Sequence, residues 1–342
     1  MRFIGCKTLL LDNIKNVIHE NVACAQTFCD IFAGTGAVSR YFKSWFEVSS
    51  NDLLYFSYVL QRATVENDTK PLFKGLKNVI GDISPILYLN SLAESPADIE
   101  QDQCFFFNTY SPAGNRMYLT EENAMRIDWA RIFIEKWRSQ QLINDNEYFY
   151  LIACLVEGIP FVSNIAGTYG AFLKSWDKRA YKKFELYELE VVSNGRNNRA
   201  FNLDGNDLVR QLKGDILYID PPYNERQYLP NYHLLETAAR YDYPQVKGVT
   251  GLRPCASGKS NYCNKKIVCD VFYDLVSNAD FKHIILSYNT EGLMPVDDIE
   301  RILKTVGNPA TYKVYTIDYR RFKSRKTSFN GQIKEMLFYI RK

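Results

Sequence analysis

The sequence predicts an α/β fold: a mixed, mostly parallel sheet flanked by helices, interrupted by a long, largely helical insert. Three observations carry this. The runs at 27–33, 46–50, 215–220 and 283–288 are short and strongly apolar, as strands are when a parallel sheet is covered on both faces. Helix-periodic segments follow the first two runs, at 37–44 and 54–65, and the pattern at 231–240 follows the third, which gives the strand–helix alternation of a wound sheet. The runs at 312–318 and 335–340 are separated by a basic, turn-rich stretch and read as an antiparallel pair.

Taken in order, residues 9–18 carry apolar side chains at 9, 10, 11, 14, 17 and 18 and predict a helix. The strand at 27–33 runs into Gly34-Thr-Gly36, a turn whose glycines permit positive φ and close backbone approach. The next strand, 46–50, ends at Asn51-Asp52. Residues 66–120 read as irregular, punctuated by Pro71, Pro85, Pro96 and Pro112. Helices at 121–140 and 145–158 follow, the first amphipathic through Met125, Trp129, Ile132, Phe133 and Trp137, a stripe that belongs to a core. Further strand signals lie at 186–192 and 199–203. The domains expected are a catalytic one at 1–65 with 200–342 and an inserted recognition subdomain at 66–199.

Composition narrows the function classes. A chain of 342 residues with 46% hydrophobic content can bury one large core and an insert, and a net charge of +3 leaves any polyanion binding to local clusters. The 8 cysteines show neither Cys-x-x-Cys pairing nor a partnering histidine cluster, which argues against a zinc site; no metal is expected. With no signal peptide in Met1-Arg-Phe-Ile-Gly-Cys and no apolar run near the length of a membrane span, the expectation is a soluble cytoplasmic protein, acting as a monomer.

Asp220-Pro221-Pro222-Tyr223 closes the run Asp215-Ile-Leu-Tyr-Ile219. Neither proline has an N–H, so the carbonyls of Asp220 and Pro221 are free to face a pocket beside a carboxylate and an aromatic ring, a set suited to a planar base with an amino group. The bland alternative is a strand capped by a Pro-Pro turn. Upstream, Asp30-Ile-Phe-Ala-Gly-Thr-Gly36 lacks the third glycine of the dinucleotide fingerprint and the Gly-Lys-Ser/Thr of a P-loop, so a ligand without phosphates fits better.

Together these motifs resemble the Dam-like (D12, alpha-group) DNA adenine-N6 methyltransferases. Phe3-Ile-Gly-Cys-Lys7 looks like the opening motif of that family, Asp30 to Gly36 like its cofactor loop and Asp220 to Tyr223 like its catalytic tetrapeptide. The segments Gly167-Thr-Tyr-Gly-Ala-Phe-Leu-Lys-Ser-Trp-Asp-Lys-Arg179 and Asn224-Glu-Arg-Gln-Tyr-Leu-Pro-Asn-Tyr-His-Leu-Leu-Glu-Thr237 look like methylases of FokI-type restriction-modification systems, where such a domain can be half of a fused pair. The resemblance implies the seven-stranded S-adenosylmethionine-dependent methyltransferase fold and S-adenosyl-L-methionine as cofactor, with S-adenosyl-L-homocysteine as product. Its substrate would be double-stranded DNA, and its partners a cognate restriction endonuclease and a second methylase, fused or separate. An RNA or protein amino-methyltransferase, or a silent methylase-like DNA-binding module, are the rivals.

The same resemblance assigns roles. Asp220, Pro221, Pro222 and Tyr223 would hold the target amine and stack on its base. Phe3, Lys7, Asp30, Phe32, Gly34, Gly36, Asp52 and Asp207 would bind the cofactor, Lys7 at the methionine carboxylate, Asp52 at the ribose and Asp207 at the adenine amine. Asp204 is the alternative to Asp207, and Gly81-Asp82 a decoy. DNA contacts are expected from Tyr169, Lys174, Lys178, Arg179 and Lys182 in 167–183, where basic and aromatic residues interleave; from Arg226, Tyr228 and Arg253; and from Arg321, Lys323 and Arg325. The segment 248–266 is expected to be a mobile loop crossing the DNA face.

Overall fold

The computed structural model describes residues 4–92, 99–254, 258–318 and 334–342. It divides into two compact units. The first is built from Leu54–Ser193 and Tyr228–Gly258, the second from Gly5–Leu53, Asn194–Gln227 and Lys259–Lys342.

The second unit holds the sheet. Its strands are β1 (Thr27–Asp30), β2 (Glu47–Asn51), β3 (Arg199–Phe201), β4 (Lys213–Ile219), β5 (Asp280–Asn289), β6 (Lys313–Asp318) and β7 (Lys334–Arg341), in the order β3-β2-β1-β4-β5-β7-β6. The first five are parallel; β7 lies antiparallel to both β5 and β6. One face buries Cys29, Leu217, Ile219, Ile284 and Leu286 against the helices Val268–Asn278 and Val296–Val306. On the other, Phe28 stacks on Phe42 and Tyr218, with centroids 4.6 and 6.0 Å away. Burial on both faces explains the unbroken apolar runs.

β1 is shorter than expected. Pairing ends at Asp30, and the chain then turns through Gly34 and Gly36 at φ 52° and 75° before the helix Ala37–Phe42. Because the chain winds outward from β1 in opposite senses, to β2 and β3 on one side and to β4 and β5 on the other, this turn lies at the topological switch point, where open α/β sheets present ligand-binding loops.

The first unit is helical, around Trp129, Ile134, Trp137, Tyr150, Leu151 and Leu235. The aromatic stripe of the helix Glu121–Ser139 lies in this core, as its periodicity indicates. Stretch 66–120 is more ordered than expected, with helices Lys77–Ile80, Pro85–Ser91 and Phe105–Tyr110 that bury Ile80, Ile86, Leu89 and Phe106. The stretch 186–192 forms no strand. Its backbone is instead satisfied by side chains: Asn90 bonds both N–H and C=O of Leu186, and Tyr150 Oη both those of Leu189. Residues 54–65, expected with the catalytic domain, belong to the helical unit because Phe56, Val59 and Leu60 pack in its core and Glu236 caps the N–H groups of Tyr55 and Phe56. Residues 228–258 join the same unit, through a helix Tyr228–Arg240 that breaks helical geometry at Tyr232. Among the described residues no helix is long and apolar enough to cross a membrane.

Candidate active site

The carboxyl ends of β1, β2, β3 and β4 bring the site together within the sheet unit. Asn51, the last residue of β2, donates its carboxamide to the carbonyls of Ile31 and Leu203 and accepts from Leu203 N–H. Asn202 donates to the carbonyls of Asp52 and Leu53. Asp52 accepts the Gly34 N–H at 2.9 Å. Three loops are thus tied by side-chain amides, and the acidic residue after β2 also shapes the glycine turn.

Asp30 is buried at the end of β1. Its Oδ2 accepts from Ser39 Oγ at 2.7 Å, while Oδ1 is buried with no hydrogen-bond partner. Burial, with Asp220 and Asp52 nearby, pushes this carboxyl up to about 7.

At the end of β4, Tyr223 Oη donates to Asp220 Oδ1 at 2.6 Å and lies 3.3 Å from Ser287 Oγ. Its ring meets Tyr288 edge-on at 4.8 Å, and its carbonyl accepts from Leu293 N–H. Lys7 Nζ sits over the Tyr223 ring, donates to its hydroxyl at 2.6 Å and is 3.2 Å from Asp220 Oδ1. Lys7 is buried here rather than solvated. Burial raises Asp220 above the usual carboxylate range, against the opposing pull of Lys7. Motifs that open the chain and close β4 therefore meet at one charged cluster.

A second wall is aromatic. Phe32 is half-buried, edge-on to Tyr262 at 4.9 Å, and lies so close to Gly205 that a Cβ there would come within 3.1 Å of its ring. Asp204 caps the turn that follows by accepting from Asn206 N–H, and its charge helps push the Tyr262 hydroxyl up, after burial. Asp207 is exposed, so the acidic residue associated with this wall is Asp204. Phe3 lies outside the described residues.

The expected DNA-contact residues separate by exposure. Lys174, Lys178 and Lys182 are exposed in the helical unit, as is Arg226 in the sheet unit. Arg179 is partly exposed and turned to Asp177 and the Ile165 carbonyl. Tyr228 is half-buried and stacked on Tyr232. Two residues are corrected. Tyr169 is 2% exposed, its hydroxyl at Ser163 Oγ and its carbonyl accepting from Tyr118, so it is a core tyrosine. Arg253 is 9% exposed and forks onto both oxygens of Asp242, bracing its segment. Residues 248–252 are likewise pinned, by the Lys247–Leu252 bridge and by Arg116 on the carbonyls of Gly248 and Val249, rather than forming a loose loop. Arg321, Lys323 and Arg325 lie outside the described residues.

Sequence reasoning passed over Ser39, Asn51, Asn202, Ser287 and Glu335. Only Asn51 carried a signal, as the polar residue beside Asp52 at a strand end. Asn202, Ser287 and Glu335 contribute through contacts distant in the chain, and Ser39 through Asp30, 9 residues before it.

The family described as D12 class N6 adenine-specific DNA methyltransferase matches residues 3–302. The chain is 49% identical over 346 residues to Type II methyltransferase M.FokI of Planomicrobium okeanokoites, covering 100% of this chain and 53% of that protein. It is 43% identical over 343 residues to Modification methylase StsI of Streptococcus sanguinis, covering 100% and 52%. Against Type II methyltransferase M.NlaIII of Neisseria lactamica the identity is 39% over 336 residues, covering 96% and 94%. The chain thus spans about half the length of the first two relatives and nearly all of the third.

Proposed function

This chain belongs to the D12 class N6 adenine-specific DNA methyltransferases, and on that premise we propose that it methylates adenine N6 in double-stranded DNA from S-adenosylmethionine, as the modification component of a restriction-modification system. The observation that carries the reading is the charge pattern at the switch point: Asp30, Asp52 and Asp220 gather where β1 and β4 adjoin, with Lys7 at its edge. A cluster rich in carboxylates suits a ligand that carries a sulfonium and an ammonium.

The residues present fit such a cofactor. Asp30 Oδ1 is a buried acceptor still in need of a donor. Gly34 and Gly36, both at positive φ, let the backbone approach closely. Asp52 would take the ribose hydroxyls, Lys7 the carboxylate, and Phe32 with Tyr262 would flank the adenine, with Asp204 as the acceptor beside it. When bound, the cofactor supplies an electrophilic methyl group.

The tetrapeptide does the rest. Asp220 and the Pro221 carbonyl accept the two hydrogens of the target amine, drawing its lone pair out of conjugation with the ring. Tyr223 would stack its ring on the base, which must leave the duplex stack to arrive there. As the nitrogen gains the methyl carbon and the carbon–sulfur bond breaks, the nitrogen sheds one proton. Asp220 is its nearest acceptor, and a carboxylate raised by burial is a better base.

The exposed Lys174, Lys178 and Lys182 would neutralise phosphates. A cognate endonuclease, and a second methylase such as the added length of the first two relatives accommodates, are the partners this reading implies. The test is incubation of purified protein with labelled S-adenosylmethionine and, separately, duplex DNA, RNA and protein acceptors, followed by nucleoside analysis. N6-methyladenine from the duplex is the expected result. Label in RNA or protein alone, or none anywhere, overturns the reading.

A further inference from the structure

One buried carboxylate beside the tetrapeptide has no part in that reaction scheme. Glu335, on β7, is 7% exposed and its Oε2 makes no hydrogen bond. That oxygen lies 3.7 Å from Lys7 Nζ, which is itself 5% exposed and 3.2 Å from Asp220 Oδ1. One ammonium is therefore shared by two acids inside a low-dielectric cluster. Register holds Glu335 in place, since β7 pairs on both sides and sets it between Asn289 of β5 and Ile317 of β6. A buried charge without full hydrogen bonding is costly, and an apolar side chain of similar size would cost less.

The distances explain what the charge does. Were Lys7 paired with Asp220 alone, the ammonium would saturate the oxygen needed by the target amine and lower its basicity. A second carboxylate, 3.7 Å from Nζ, competes for the ammonium and splits its charge. Resting on the methyl-transfer reading, we propose that Glu335 is a positioning residue for Lys7. It sets how much of the lysine charge reaches Asp220, and thereby keeps Asp220 competent as acceptor of the adenine amine. Tyr223 and Tyr218 are the other titratable groups within reach of its charge, and both stay protonated because burial raises them far above neutrality.

The test uses the full chain and Glu335→Gln, which keeps shape and removes charge, in two backgrounds: the parent and Lys7→Met. Single-turnover transfer is measured beside cofactor and DNA dissociation constants and thermal melting. In the parent background, transfer at saturating cofactor should slow by about tenfold or more while the DNA dissociation constant stays within about twofold. In the Lys7→Met background the same change should have no further effect on rate. Equal slowing in both backgrounds would make Glu335 merely structural, and a parental rate would leave it no role. Should Glu335→Gln lose its melting transition, Glu335→Asp takes its place in both backgrounds, because it keeps the charge and withdraws it by one methylene. Slowing only where Lys7 is present supports the proposal, and no slowing overturns it. Absence of N6-methyladenine from the unmodified protein would fell the methyl-transfer reading and this proposal with it, an outcome distinct from any variant-specific result.

Discussion

Asp30 should act as a proton reporter for cofactor binding. Buried at the end of β1 with one oxygen on Ser39 and the other unpartnered, it is raised from 3.8 to about 7, by burial first and then by its acidic neighbours Asp220 and Asp52. At neutral pH it is roughly half protonated. A cationic ligand within a few ångströms lowers a carboxyl by about 1–3 units. Binding of S-adenosylmethionine should therefore release about 0.4–0.5 of a proton at pH 7, about 0.4–0.9 at pH 6 according to the size of the shift, and almost none at pH 9, where Asp30 is already ionised. Isothermal titration calorimetry in buffers of different ionisation enthalpy reads this number as a slope. Asp30→Asn should flatten the slope and weaken binding. The same group bears on stability: because its folded value lies above 3.8, the cofactor-free protein loses stability as pH rises from about 4 to about 7, and Asp30→Asn should remove that loss. A slope of zero at pH 6, or one unchanged in Asp30→Asn, would refute the argument.

Three further outcomes are expected. Asp220→Ala should cut single-turnover transfer by a factor of about 10²–10³ while calorimetry still detects cofactor binding, and near-normal turnover would place the amine acceptor elsewhere. Asp215, which accepts from Gln26 N, Thr27 N and Lys282, is depressed from 3.8 to about 2. Its contribution is present above the unfolded value and fades as pH falls from 3.8 toward 2, so Asp215→Asn should cost about 2 kcal/mol in urea unfolding near pH 7 and little near pH 2. Replacing Lys174, Lys178 and Lys182 together by alanine should reduce the magnitude of the salt slope of DNA binding by about three while sparing cofactor affinity; an unaltered slope on both specific and scrambled duplexes removes these lysines from the DNA.

What was legible in the sequence was what is local. The strands announced themselves through apolar runs, because burial on both faces leaves no polar alternation, and Gly34 and Gly36 marked the turn that their φ values require. The place of Asp220 to Tyr223, directly after a buried strand, was readable because the apolar run 215–219 ends there. Contacts between distant segments were not legible. Nothing near residue 335 shows that its carboxylate meets Lys7, and nothing near residue 90 shows that an asparagine would occupy the backbone of 186, which is why 186–192 looked like a strand. The helix Val296–Val306 was readable from Ile299, Ile302 and Leu303 at helical spacing, yet it passed unnoticed beside the stronger strand signals. The boundary near residue 65 failed for a different reason: a helix after a strand reads as part of the wound sheet, and only packing shows that Phe56 and Val59 belong to another core.

The position of β7 has a consequence for biosynthesis. Every other strand of the sheet precedes it in the chain, yet it is wedged between β5 and β6, so β6 has no partner within the sheet until residues 334–341 have been made. On a ribosome the first five strands can assemble in parallel, but β6 must wait as an unpaired ribbon, exposed to the mispairing that open edges invite. The same strand carries Glu335 to Lys7, which precedes β1 in the chain. A nascent chain must therefore reach β7 before these two charged groups can meet.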